Sequence, residues 1–87
     1  MNYYVYILLS LKDKKFYTGF STNLKKRLIY HNKGLNKSTI NRRPLKLIFY
    51  EVYLNKIDVL RREKYFKTTE GKKTLKIMLK ETLKKLK

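Results

Sequence analysis

Tyr3-Tyr4-Val5-Tyr6-Ile7-Leu8-Leu9, a polar break at Leu11-Lys12-Asp13-Lys14-Lys15, and then Phe16-Tyr17-Thr18-Gly19-Phe20 form the stretch on which the fold turns. Aromatic and β-branched residues suit a pleated, half-buried surface, so both flanks read as strands. The break is short and polar, which makes the two strands a hairpin. Gly19 sits near the end of the second strand, where backbone must bend or be approached closely.

Working outward, Ser21 and Thr22 are N-cap candidates for a helix running to about Lys33. Leu24 and Leu28 form its apolar stripe, and Gly34 ends it as a left-handed cap. Leu35 to Pro44 is polar and reads as a surface loop carrying Lys37, Ser38, Thr39, Asn41, Arg42 and Arg43. Leu45 to Leu54 is a third strand, expected to be buried on both faces in its middle. Asn55 caps the next helix, with Asp58 in the capping-box position, and that helix runs to about Lys67. Thr68 or Thr69 caps a last helix reaching nearly to Lys87, with Leu75, Leu79, Leu83 and Leu86 in one stripe. The order β-β-α-β-α-α predicts an α+β fold, a small, mostly antiparallel sheet covered by helices. A single domain over residues 1–87 is expected, with a motif-bearing core at 3–67 and a basic helix at 69–87.

The chain has 23 Lys and Arg against 6 Asp and Glu, a net charge of +17. So large an excess repels itself in a compact state and points to a polyanionic partner, above all nucleic acid. With no cysteine, disulfides, thiolate zinc sites and thiol catalysis are excluded. That fits a reducing compartment, and a cytoplasmic location is the expectation. No run approaches the roughly 20 apolar residues of a membrane span. Met1 to Leu11 reads as a strand rather than a signal peptide.

Few residues are left that could carry chemistry. Arg27 and His31 share a helix face with Asn23, and successive members lie about 6 Å apart along the axis. A solvated basic face would carry the same residues. Arg, however, offers phosphate a planar fork of donors. His31, the only histidine, could move a proton near neutrality. Val59, Leu60 and Phe66 flank Glu63 at helical spacing, so Glu63 is expected to face inward. An inward carboxylate must be paired, hydrogen-bonded or metal-bound. A pair with Arg27 or Arg62 satisfies this, and so does a hard cation such as Mg²⁺ or Mn²⁺. Tyr6 and Tyr17 lie on the paired strands; to act as a base, a phenol needs a nearby cation.

Together these segments resemble the GIY-YIG nuclease superfamily. The resemblance rests on Tyr4-Val5-Tyr6, on Tyr17-Thr18-Gly19, and on S-x-N-L-x-x-R-L-x-x-H from Ser21 to His31. The third strand follows, and then Arg61-Arg62-Glu63-Lys64 on a helix. It spans about Tyr3 to Lys67 and is similar to the small single-domain branch related to the amino-terminal domain of the C component of excinuclease ABC. It implies a three-stranded antiparallel sheet flanked by helices and hydrolysis of DNA phosphodiesters with Mg²⁺ or Mn²⁺. By position it implies that Tyr6 and Tyr17 are the signature tyrosines, Arg27 the essential arginine and Glu63 the metal-binding glutamate. His31 matches a frequent position. Tyr4 replaces the first glycine of the family name, Thr18 its isoleucine, and Phe20 a lysine found in some members. No clear equivalent of a final asparagine follows Lys67.

The leading expectation is therefore a metal-dependent DNA endonuclease acting in DNA repair or processing, with branched and single-stranded DNA among its candidate substrates. Tyr6, Tyr17, Arg27, His31 and Glu63 form its catalytic set. Arg27, Lys37, Arg42 and Arg43 are its nucleic-acid contacts. The alternative is a nucleic-acid-binding domain with weak or no catalysis. A third reading puts the lysine-rich last helix on anionic lipid. The expected arrangement is leucines on the sheet and lysines toward water or DNA, with no membrane partner.

Overall fold

The computed structural model describes residues 1–86. Strand β1 (Tyr3–Ser10) is central, with β2 (Phe16–Ser21) and β3 (Leu45–Tyr53) antiparallel on either side. This is the α+β architecture expected, with helices α1 (Leu24–Asn32), α2 (Lys56–Phe66), α3 (Thr69–Met78) and α4 (Lys80–Lys85) around the sheet. The continuous apolar run of β1 follows from its place: Val5 to Ser10 are all buried because both faces of the middle strand are covered.

Alternation divides the core into two layers. Val5 and Ile7 pack with Val59, Phe66, Leu75 and Leu79 of α2, α3 and the residue after α3. Tyr6 and Leu8 point the other way, into a cluster with Leu45, flanked by Leu24 and Leu28 of α1. Full burial of each such apolar side chain is worth about 1.5–3 kcal/mol. A bulge in β3 sets the register: Ile7 faces Phe49 while Leu8 faces Leu47, which leaves Ile48 unmatched.

Several boundaries differ from expectation. The α1 cap is Asn23, whose Oδ1 accepts from Lys26 N–H at 3.1 Å; Ser21 Oγ instead accepts from Asn23 N–H at 2.9 Å. Gly34 does take the left-handed conformation (φ +76°), and Gly34 and Leu35 N–H close back on His31 and Tyr30 carbonyls. The polar segment before β3 contains a 3₁₀ turn at Ile40–Arg42. β3 is not buried on both faces, for Tyr50 and Val52 are half exposed. It is an edge strand, and the cluster beneath α1 takes only Leu45 and Leu47 from it. The last helix is interrupted at Leu79, whose backbone leaves the helical region. Leu75, Leu79 and Leu83 nevertheless all pack on the same core cluster. The expected extension toward Lys87 lies outside the described residues. Asn55 and Thr68 cap α2 and α3 as expected.

Candidate active site

Tyr6 stands directly across from Gly19 on β2 and Tyr50 on β3. Its ring lies over Gly19 so closely that a methyl group there would collide with the phenol carbon and oxygen. Glycine is thus required for close approach, and the strand places the hydroxyl above the β2 edge.

That hydroxyl meets α1. Tyr6 Oη is 2.8 Å from His31 Nε2, and His31 Nδ1 is 2.8 Å from Thr39 Oγ1. Tyr6 is 1% exposed, and His31 and Thr39 are both 0% exposed. The Tyr17 and Tyr30 rings pack edge-on against the imidazole, with centroids 5.1 and 6.0 Å away. Burial, and then the charge of Arg27, push the His31 pKa down to about 4. His31 is therefore neutral at pH 7, not the group poised near neutrality that an unperturbed histidine would be. Burial likewise pushes the Tyr6 phenol up to about 12. The Arg27 guanidinium beside it pulls in the other direction, while the neighbouring Tyr17 and the Glu63 carboxylate add to the rise.

Arg27 is half buried, with its guanidinium 4.5 Å over the Tyr30 ring. Its pKa is raised, chiefly by Tyr6 and against the effect of burial. Its Nε is buried and has no hydrogen-bond partner among the described residues. Such an orphan donor is uncommon. Tyr6, Tyr17, Arg27 and His31 thus come together on one face of the sheet.

Glu63 arrives from the opposite layer, because α2 packs on the Val5/Ile7 face. Its side chain is 19% exposed, and its ion-pair partner is Lys67, one helical turn on, at 3.4 Å. The expected pairs with Arg27 or Arg62 are not formed: Arg62 binds both carboxylate oxygens of Glu51, at 2.8 and 3.1 Å. Leu60, expected to flank Glu63 on the inside, is 40% exposed. The Glu63 charge still acts on the Tyr6 phenol, so its field reaches the cluster.

The expected nucleic-acid contacts divide. Lys37 is exposed. Arg42 is engaged by the β1–β2 turn, with Nε 2.7 Å from Asp13 Oδ2 and further bonds to the Lys15 and Phe16 carbonyls. Arg43 donates to the Ile40 and Asn32 carbonyls from an exposed position. Two neighbours of the cluster were not singled out by sequence. Thr39 lay among polar loop residues, and Tyr30 among eight tyrosines. No local pattern separates either from its neighbours.

A tyrosine of the central strand thus crosses a glycine of its neighbour to meet a histidine and an arginine from the next helix. The GIY-YIG catalytic domain family matches residues 2–76, and the chain belongs to that family. Its relatives are small proteins. A UPF0213 protein of Clostridium perfringens is 39% identical over 82 residues, which is 93% of this chain and 87% of that one. One of Staphylococcus saprophyticus is 39% identical over 77 residues, covering 87% and 93% of the two chains. The solution NMR structure of a UPF0213 protein from Bacillus halodurans, 33% identical, superposes with a TM-score of 0.57 over 90% of this chain and 85% of that one. No described helix is long and apolar enough to cross a membrane.

Proposed function

We propose that this protein is a divalent-metal-dependent DNA endonuclease in which Tyr6, Tyr17, Arg27, His31 and Glu63 form the catalytic set. The observation that supports this reading is the cluster of Arg27 beside the Tyr6–His31 pair in a chain of the GIY-YIG family. The similarity to the nuclease domain in the C component of excinuclease ABC supports DNA repair or processing as the setting.

Among the described residues no three His, Cys, Asp or Glu side chains cluster, so an all-protein metal cage is not available. One carboxylate with waters and a substrate phosphate suits Mg²⁺ or Mn²⁺, and Glu63 fits that demand with hard oxygen donors and a weak, exposed lysine partner. When bound there, the ion would supply charge stabilisation at the phosphate and the leaving oxygen.

The chain's own groups do the rest. Arg27, half buried beside the cluster, supplies the guanidinium charge that holds a non-bridging phosphate oxygen. Tyr6 keeps its proton at neutral pH, since its pKa is about 12. Tyr17, the more exposed phenol, is then the group to take the proton of the attacking water as its own phenol proton passes to solvent, with Tyr6 and His31 assisting. The water oxygen bonds to phosphorus as the bond to the 3′ oxygen breaks. The 3′ oxygen leaves with a solvent proton, giving a 5′-phosphate and a 3′-hydroxyl. Lys14, Lys15, Lys72 and Lys76 line a basic cleft of about 440 Å³ beside β2, a surface suited to the DNA backbone.

Nicking of plasmid and branched DNA with Mg²⁺ or Mn²⁺ tests the proposal. Wild type should cleave, while folded Glu63→Ala and Arg27→Ala should lose at least ~100-fold in rate, as for removal of a transition-state charge partner. Equal cleavage by all three would remove the assigned site. The second reading, a binding domain without turnover, is favoured by Phe20 standing where some family members carry lysine. Tight metal-independent binding with no cleavage would select it.

A further inference from the structure

We propose that the groove between α1 and β3 binds an unpaired nucleobase, so that the substrate is DNA with a single-stranded segment. That the strand is DNA rests on the nuclease reading; the stacking surface does not.

Strand alternation builds the groove. Tyr6 pairs with Tyr50 across the ladder, and Tyr4 lies two residues before Tyr6, so all three share one face of the sheet. Tyr6 is buried against α1, whereas Tyr50 is 50% exposed and Tyr4 is half buried. The Tyr4 and Tyr50 rings stand 6.1 Å apart, tilted by 57°. With Leu47 and Leu28 they line a groove of about 590 Å³, and the exposed Asn23 and Lys25 stand at its rim. That volume falls within the span of small-ligand sites, roughly 300–1,000 Å³.

The chemistry selects the occupant. Aromatic rings bind flat faces, and a base offers its face only when it has left the paired stack; inside a duplex it offers edges. The groove lining holds a lysine and no acid. Asp13 is in the β1–β2 turn, and Glu51 turns to the opposite face of β3, where Arg62 holds both its oxygens. The other four acids lie on α2, α3 and α4. This side of the sheet therefore suits the phosphate that accompanies a base. A second copy fits poorly, since it would bring one chain of charge +17 against another.

The groove also meets the candidate active site. Asn23 lines it and begins the α1 row that continues through Arg27 and His31, with successive members about 6 Å apart along the axis. The sheet order puts Tyr17 on one flank of Tyr6 and Tyr50 on the other. A strand whose base sits on Tyr50 thus reaches the cluster around the start of α1.

Anisotropy titrations without metal test this with a labelled oligothymidylate and a duplex of equal length. Tyr50→Ala should weaken single-strand binding roughly 5- to 150-fold, the scale of one base–aromatic stack, and duplex binding by less than about 2-fold. The salt dependence should keep the wild-type slope, because no phosphate contact is lost. Tyr50→Phe, which keeps the ring, should retain the affinity. In wild type, the Tyr4 and Tyr50 ring-proton resonances should move upfield when the oligonucleotide is added; unmoved resonances overturn the proposal even where the alanine variant does not fold. Equal losses on single strand and duplex overturn it, as does a dimer in sedimentation that Tyr50→Ala dissociates. Tighter Tyr50-dependent binding of oligouridylate would overturn DNA as the strand. Selective loss in Tyr50→Ala, with no cleavage by wild type, removes the nuclease reading and leaves the groove. Cleavage of flap DNA with equal binding and rate in both proteins removes the groove and leaves the nuclease reading.

Discussion

The Tyr6 hydroxyl lies 2.8 Å from His31 Nε2, although the two residues are 25 positions apart and come from a strand and a helix. Tyr6 is positioned by β pairing and His31 by the register of α1. Their meeting couples the first strand to the candidate chemistry, and several consequences can be measured.

Gly19→Ala should destabilise the fold by about 1–3 kcal/mol, the range for forced overpacking, because its Cβ would occupy the space of the Tyr6 phenol. Urea denaturation checks this. Adding Tyr6→Phe should recover part of the loss, since the hydroxyl is the first atom the methyl meets. An alanine variant as stable as wild type would mean that the ring does not lie over Gly19.

Tyr6→Phe alone leaves His31 Nε2 without a partner in a fully buried site. The expected cost is about 1–3 kcal/mol, that of an unsatisfied buried polar group. The same denaturation midpoints read it out.

Acid should weaken the protein in two separable steps. His31 has a folded pKa of about 4 against 6.5 unfolded, so the unfolded chain binds the extra proton between those values. Stability is then full above pH 6.5 and falls by roughly 3 kcal/mol as pH drops to 4. Asp13 behaves differently. Its carboxyl is held well below the usual range, chiefly by Arg42, so its contribution is lost only below about pH 4. Unfolding free energies at pH 7, 5 and 4 should show the first loss in wild type and not in a folded His31→Gln variant.

Arg42 and Lys37 should separate structure from binding. Arg42 ties the β1–β2 turn through Asp13 and two carbonyls, whereas Lys37 is exposed. Arg42→Ala should lower Tm by several degrees. Lys37→Ala should leave Tm unchanged and reduce the salt dependence of DNA binding by about 0.9 in log–log slope if it contacts one phosphate. Anisotropy titrations across salt concentrations, alongside thermal melts, decide it.

The sequence was a good guide where local rules dominate. The hairpin of β1 and β2, the Gly34 cap and the Asn55 and Thr68 caps could be read because each depends on a few neighbouring residues. It was a poor guide where position in the sheet matters. β3 has an apolar pattern fit for a central strand, yet it lies at the edge with Tyr50 exposed. The break at Leu79 left no mark in a regular leucine stripe.

By itself, the sequence determined the strands, the starts of the helices, the excess of positive charge and a short set of candidate residues, because periodicity and residue type are local properties. Only the tertiary structure decided what those residues are in place. It buried His31 until its imidazole is neutral at pH 7, gave it Tyr6 and Thr39 as partners, and engaged Arg42 in a turn. Burial, hydrogen-bond partners and pKa depend on what the fold brings near from elsewhere in the chain, and spacing along the chain does not encode that.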